Sequence, residues 1–245
     1  EVNTRRIKAL EEMARRTYEE WFVHYRFPGG DGTRPDGWET CAIEGLYEGL
    51  FDGPHATPPP SDAGPVFLGI KNILEEGGLD LSKVRHIASE DYPRWTRRVV
   101  PRSGDIVFSY EATLNRYALL PDGLECCLGR RMALIRPKPM FRHYLYFSFF
   151  GSPWRELIEQ RKLSGVTVDR IPLTDFPNFP VTVPSKPLIE KFEDYAGNTL
   201  SLIHQLGKHN TNLRTQRDLL LPRLVSGAID VSEADLPQPV EVAAE

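Results

Sequence analysis

A chain of 245 residues with 40% hydrophobic, 26% charged and 10% aromatic side chains buries a real core, which excludes wholesale disorder. Its 21 prolines are nearly twice the usual ~5% and exclude a helical bundle along the whole length, because each internal proline removes a helical hydrogen bond. A net charge of −4 speaks against a nucleic-acid partner only until its distribution is read. Asp230, Glu233, Asp235, Glu241 and Glu245 form an acidic tail with no base in it, and without those five the body 1–229 stands at +1.

In chain order, residues 1–27 read as a helix. Ile7, Leu10, Ala14, Thr17, Trp21 and His24 recur at alternating spacings of three and four, with Asn3 or Thr4 as the expected cap. Arg5, Arg6, Arg15 and Arg16 alternate with Glu11, Glu12, Glu19 and Glu20 to give a solvated face. Residues 28–37, rich in Gly and Asp, read as a linker.

Residues 38–183 form a mixed unit. Short β-rich runs (Val66–Ile70, Asp105–Tyr110, Ala133–Ile135, Val181–Val183) are punctuated by Pro and Gly, and helices are expected over about 139–150 and 152–162. The aromatic run Tyr144–Phe150 is assigned to the core. Two stretches are basic: Ser82–Arg102 holds six Lys or Arg, and Cys126–His143 holds Arg130, Arg131, Arg136, Lys138 and Arg142 with no acid.

Residues 184–227 read as a distal coiled-coil helix. Ile189, Phe192, Ala196, Thr199, Ile203, Leu206, Asn210, Leu213, Arg217 and Leu220 keep the three–four spacing without a break. Ser185 is the expected cap, and Pro222 with Gly227 the expected end. Residues 228–245 are read as an acidic flexible tail.

Cys41, Cys126 and Cys127 are too few for a disulfide framework or a spaced four-ligand zinc site, and a reducing cytoplasm fits them. The sequence has no membrane-length apolar run and no signal peptide; it opens on Glu1 rather than Met, as a fragment or processed chain would. It carries no P-loop, G-x-G-x-x-G, G-x-S-x-G or H-E-x-x-H motif. Asp105 with Glu111-Ala112-Thr113 approaches a metal-nuclease pattern but lacks its lysine, and no Asn/Asp-Pro-Pro-Tyr/Phe motif of an amino-methyltransferase occurs. The expectation is binding without catalysis and without a metal or cofactor on this chain.

Several motifs resemble the specificity subunit of type I restriction-modification systems, in its C-terminal half. The opening Asn3-Thr4-Arg5-Arg6-Ile7 through Trp21-Phe22-Val23 is similar to that family's central helix. Phe51-Asp52-Gly53-Pro54-His55-Ala56-Thr57-Pro58 and Gly69-Ile70-Lys71-Asn72-Ile73 resemble the start of a target recognition domain. Gly104-Asp105-Ile106-Val107-Phe108-Ser109 and Cys127-Leu128-Gly129-Arg130-Arg131-Met132 through Pro137 continue the likeness. Asn212-Leu213-Arg214-Thr215-Gln216-Arg217-Asp218-Leu219-Leu220-Leu221-Pro222-Arg223-Leu224-Val225-Ser226-Gly227 resembles its distal helix. There are departures: the family has two recognition domains where this chain shows one, and where the family often shows Arg-Glu-Gly-Thr-x-Gly, this chain has Tyr110-Glu111-Ala112-Thr113-Leu114-Asn115, without either glycine.

The resemblance implies an α/β (α+β) target recognition domain flanked by two long helices that pack antiparallel as a coiled-coil-like ruler. It implies sequence-specific binding of double-stranded DNA, reading one half of a bipartite target. The implied partners are methyltransferase subunits bringing S-adenosylmethionine and a motor-nuclease subunit bringing ATP and Mg, with a second copy or a missing first half along the helix seam. That seam comprises Ile7, Leu10, Ala14 and Trp21 with Ile189, Phe192, Ile203, Leu206, Asn210, Leu213 and Leu220.

Candidate DNA contacts are His55 and Thr57 in a Pro-rich loop, Lys71 and Asn72 after a β run, and Tyr110, Glu111, Thr113, Asn115 and Arg116 in a later loop. Asn reads adenine, Lys guanine or phosphate, and Glu accepts from cytosine. Arg94, Arg97 and Arg98 are assigned to phosphate; Arg130 is a further contact, and Arg131 is taken as structural. Two other classes remain open: the DNA-reading part of a fused restriction-methyltransferase enzyme, and an interaction module that no longer reads DNA.

Overall fold

The computed structural model describes residues 1–164 and 168–229; the acidic residues from Asp230 onward lie outside them. Helix α1 (Val2–Tyr18) opens the chain and widens into a π turn over Glu19–Val23. Strands β1 (Glu39–Ala42), β2 (Tyr47–Asp52), β3 (Ser61–Leu68) and β4 (Arg85–His86) follow, then the short helix α2 (Tyr92–Trp95). Next come β5 (Ile106–Ser109), β6 (Tyr117–Leu119), β7 (Cys126–Leu128) and β8 (Met132–Pro137), then α3 (Arg142–Ser148) and α4 (Ser152–Arg161). Strands β9 (Leu163–Ser164), β10 (Asp169–Arg170) and β11 (Pro180–Val183) lead into α5 (Lys186–Val225), a helix of 40 residues.

A four-stranded antiparallel sheet in the order β2-β8-β5-β6 lies at the centre. Strand β5 is buried at every position, and its period-two alternation feeds two cores. Ile106 and Phe108, with Ala133, Ile135 and Tyr117, face an aromatic core beneath the helices. Val107, with Met132, Leu134 and Ala118, faces a second core shared with Leu68, Ile73 and Leu128. The second core is roofed by a three-stranded sheet, β4-β3-β7, in which β3 and β7 run parallel, with Phe67 opposite Cys127.

The helical layer is built on rings. Tyr18, Trp21 and Phe22 of the first helical segment surround Phe192 of α5 at centroid distances of 5.9, 6.0 and 5.0 Å. Thr17 donates to the Tyr195 hydroxyl at 3.1 Å, and the descending–ascending numbering of these contacts makes α1 and α5 antiparallel. Glu193 of α5 accepts the backbone amides of His143 and Tyr144 at 2.9 and 2.7 Å. A carboxylate at a helix start satisfies orphan donors and complements the helix dipole, so this contact fixes α5 to α3.

Several expectations change at this level. Neither Asn3 nor Thr4 caps α1, which begins at Val2 with no side-chain cap bond; both already lie inside the first turn. The helical reading of 1–27 stops at Val23, and His24 is exposed rather than part of the seam. The stretch 28–37 is bracketed by a pinned cluster, since Tyr25 and Phe27 pack on Trp38 at 5.5 and 6.0 Å. The helix read over 139–150 divides into a 3-10 turn at Pro139–Phe141 and α3, while Tyr144–Phe149 is buried. Pro222 does not end α5; it sits in its last turn, and the turn Ser226-Gly227 follows, with Gly227 at φ +72°.

The seam divides in two. Ile189, Phe192, Ala196 and Thr199 are buried, and Ile203, Leu206 and Asn210 are half-buried. Every residue from Thr211 to Ala228 is exposed, including Leu213, Arg217 and Leu220. The antiparallel register brings the first turn of α1 level with Asn210, so the cover within the described residues ends there. Thr199 satisfies its own hydroxyl by donating to the Tyr195 carbonyl at 2.9 Å.

Candidate nucleic-acid interface

The face of the three-stranded sheet turned away from the second core carries an open groove. Phe67, Gly69 and Ile70 contribute apolar lining. Thr57, Lys71, Lys83, Arg85, Arg130 and Arg131 supply the polar lining, and no acid lines it. Strand β3 delivers Phe67 outward because Val66 and Leu68, its neighbours in the pleat, point into the core. Arg85 on the neighbouring strand lies over the Phe67 ring at 5.5 Å, which holds a cation at the groove floor. Gly129 permits the close approach that shapes the wall: its amide donates to the Leu68 carbonyl at 2.8 Å, and a Cβ there would stand 2.7 Å from that oxygen.

Beside the groove, across the edge contact of Phe67 with Trp95 (6.4 Å, 84°), lies a smaller cleft lined by Asp52, Gly53, Arg94, Trp95, Arg97 and Arg98. Arg98 is committed: it pairs with Asp52 and donates to the Gly53 carbonyl at 3.1 Å. His55 Nε2 lies 3.0 Å from the other Asp52 oxygen. Arg94 and Arg97 are exposed and have no ion-pair partner among the described residues. The two basic stretches of the sequence therefore meet on one side of the domain, with Lys71, Thr57 and Arg130 in the groove and Arg94, Arg97, Arg98 and His55 around the cleft.

The loop Tyr110–Arg116 adjoins the groove differently from its sequence reading. Tyr110 is 8% exposed and belongs to the aromatic core, so it does not face a base. Glu111 is held by Arg131 at 2.9 Å through one carboxylate oxygen, which ties the side chain to the neighbouring loop. Arg116 pairs with Glu75 at 3.1 Å, and Thr113 is exposed. Asn115 at φ +59° and Ala112 at φ +73° take the left-handed backbone that the missing glycines would have adopted freely. The loop keeps a glycine geometry without glycine.

Asn72 sits at the groove as part of its wall rather than as an exposed reader. It is 8% exposed, its Oδ1 accepts the Gly69 amide at 3.0 Å, and its Nδ2 donates to the Asp80 and Lys83 carbonyls at 3.1 and 3.3 Å. Both Nδ2 hydrogens are committed to the loop, so the bidentate donor–acceptor pairing that reads adenine is not open to Asn72 although it lines the groove. It is the hub of a loop whose edge presents Lys71 and Lys83.

Asp105, the acid nearest a nuclease pattern, is 1% exposed and accepts from Arg136 Nε and Nη2, both at 2.8 Å. That bond raises the Arg136 pKa, and the carboxylate serves the sheet edge rather than chemistry. Burial pushes the Cys126 and Cys127 thiols up to about 12, which removes them as nucleophiles. Among the described residues no three His, Cys, Asp or Glu side chains gather as a metal site, and no helix is long and apolar enough to cross a membrane. Lys83, Arg85, Phe67 and Ile70 were not singled out from sequence. The six-base count over Ser82–Arg102 held the signal for the first two, and the Val66–Ile70 run held it for the others.

No protein-family model matches this sequence, and no characterised protein matches it in sequence. Solved structures do match. The S subunit of a type I restriction-modification system from M. genitalium overlays 91% of this chain and 56% of its own at a TM-score of 0.54 and 12% identity. This chain shares its fold. The HsdS subunit from Thermoanaerobacter tengcongensis (TM-score 0.49, 19% identity) overlays 91% of this chain and 52% of its own. A chain from a structure on assembly and conformational transition of the type I R-M system (TM-score 0.44, 16% identity) overlays 89% and 54%. The chain thus spans about half the length of the solved chains it matches. In the S-subunit fold seen here, a mixed α+β domain sits against two long antiparallel helices, and the basic groove lies on the roofing sheet, across the second core from the helical layer.

Proposed function

We propose that this chain is a DNA-recognition subunit of a type I restriction-modification complex, reading one half of a bipartite duplex target in the cytoplasm. The observation that carries the reading is the groove: Lys71, Lys83, Arg85 and Arg130 line it with no acid, on a fold shared with an S subunit. Backbone phosphates supply the bulk of affinity, so Arg94, Arg97 and Lys83 position the duplex. In this reading Thr57, Lys71 and Arg130 of the groove are the side chains offered to base edges, with the exposed Thr113 of the neighbouring loop beside them. The chain makes and breaks no bonds in this reading; methyltransferase and motor-nuclease partners bring S-adenosylmethionine, ATP and Mg.

Duplex binding by the chain alone tests it. One recognition domain without partners should bind random duplex at roughly 10⁻⁴–10⁻⁶ M at physiological salt. Reversing Lys71, Lys83 and Arg130 together should abolish that binding, while reversing Arg5, Arg6 and Lys8 on the helix should leave it. Loss of binding in the helix variant, with the groove variant unaffected, would move the interface off the groove.

A further inference from the structure

The loop Gly69–Lys83 has two ends with different neighbours. One end forms a wall of the basic groove through Lys71 and Lys83. The other end is pressed against the helical layer. Arg15 of α1 donates to the Glu76 carbonyl, and its guanidinium lies 5.9 Å from the centre of the Phe150 ring. Gly77, at φ +91°, is packed so closely that a Cβ would stand 2.6 Å from the Phe150 ring and 2.8 Å from the Tyr146 hydroxyl. Burial raises the Glu11 carboxyl pKa; the Arg15 cation opposes that and the Glu76 carboxylate adds to it, which puts all three charges in one neighbourhood.

Between the ends the loop is cross-braced. The Leu74 amide donates to Gly78 at 3.1 Å and the Asp80 amide to Asn72 at 2.8 Å. Ile73 bridges to Leu79 and is rooted in the second core at 3% exposure. Asn72 ties Gly69, Asp80 and Lys83 together from inside. A brace of this kind shifts as a unit, because bending it would strand buried amide groups. A displacement of Glu76 therefore reaches Lys71 and Lys83.

We propose that Arg15 is a positioning residue for DNA, fixing this loop against α1 so that Lys71 and Lys83 meet the duplex at one height. The proposal rests on the DNA reading of the groove and adds that the helix layer sets the groove's geometry. Arg15 does not line the groove, so it acts through the loop.

The test is the slope of log affinity against log salt for random-sequence duplex, measured on the full chain. Each phosphate contact contributes about −0.9 to that slope. Arg15→Met keeps the packing on Phe150 and removes the donor; it should flatten the slope by about 1 to 2. Lys71→Ala should flatten it by about 1 in the wild-type background and by nothing in the Arg15→Met background, whereas Arg15→Lys should restore the wild-type slope. Amides of Leu74, Gly78 and Asp80 should exchange hydrogen on the order of tenfold faster in Arg15→Met, the loss of one charge-assisted bond. Additive losses from Arg15→Met and Lys71→Ala would overturn the proposal, as would an unchanged slope with faster exchange, which marks a purely structural contact. A wild-type chain that binds no duplex overturns the DNA reading and this proposal together; a wild-type chain that binds, with Arg15→Met behaving identically, overturns this proposal alone.

Discussion

Replacing Ala112 by glycine should stabilise the protein. Ala112 sits at φ +73°, where an L-residue pays roughly 1–2 kcal/mol for its Cβ. Its amide is held by the Asp169 carbonyl at 2.9 Å, and the neighbouring Glu111 bridges to Arg170, so the loop's surroundings impose the conformation. Glycine removes the steric cost but returns about 0.4–1 kcal/mol through the greater freedom of the unfolded chain. The net gain is about 0.5–1 kcal/mol, equivalent to a rise in Tm of roughly 1–4 °C for a chain of this size. Urea titration with an unchanged m-value is the assay, since only then does the midpoint report stability. Ala112→Val should shift the midpoint the other way, because a β-branched residue is a true outlier at positive φ. A lowered midpoint for Ala112→Gly, or a neutral Ala112→Val, would refute the strain argument.

Asn72→Ala should cost about 1–3 kcal/mol by leaving buried backbone groups unpaired, whereas Lys71→Ala should leave Tm unchanged; paired thermal melts check both. Asp105→Asn breaks the bidentate pair with Arg136 and should lower urea stability by about 3–5 kcal/mol. In a thiol titration with a disulfide reagent at neutral pH, Cys41, which is half-buried, should react in the native chain, and Cys126 and Cys127, pushed up to about 12 by burial, only on unfolding. Leu206→Asp should destabilise the α1–α5 packing, while Leu213→Asp, 47% exposed, should leave stability unchanged and lower any self-association seen by analytical ultracentrifugation. A monomer at high concentration whose solubility and mass ignore Leu213→Asp would show that the bare seam is no interface.

The main layers were legible because burial and period coincide in them. The Asp105–Tyr110 and Ala133–Ile135 runs became the two central strands, and the Tyr144–Phe150 run became core, because continuous apolar character leaves no other place for them. Strands β1, β2, β4, β6, β7, β9 and β10 were not read, because two to six residues such as Tyr117–Leu119 carry too little alternation to stand out. Tyr18 and Phe22 were passed over in favour of Thr17 and Trp21. Tyr18 follows buried Ala14 by four, a spacing as helical as the three to Thr17, so periodicity alone does not choose between them; for Phe22 the π turn over Glu19–Val23 also shifts the helical phase, which a spacing rule cannot anticipate. Asn72 and Tyr110 look like ligand-reaching side chains in sequence, and only the fold shows that one is tied up by its own loop and the other by the core.

The near-neutral body hid its basic face through pairing rather than scarcity. Arg98 is matched by Asp52, Arg102 by Glu48, Arg116 by Glu75, Arg131 by Glu111 and Arg136 by Asp105. Each acid cancels a charge in the sum, and each does so on a side chain that braces a loop or a sheet edge. Lys71, Lys83, Arg85, Arg94, Arg97 and Arg130 have no such partner among the described residues and converge on the groove and its neighbouring cleft. Net charge therefore says little about a partner here, since the field at a surface is set by the cations that remain unpaired on it. The same sorting explains why sequence could locate the basic stretches but not divide them: Arg97 and Arg98 are adjacent in the chain, and only the position of Asp52 on β2 makes one a brace and leaves the other without an acid partner among the described residues.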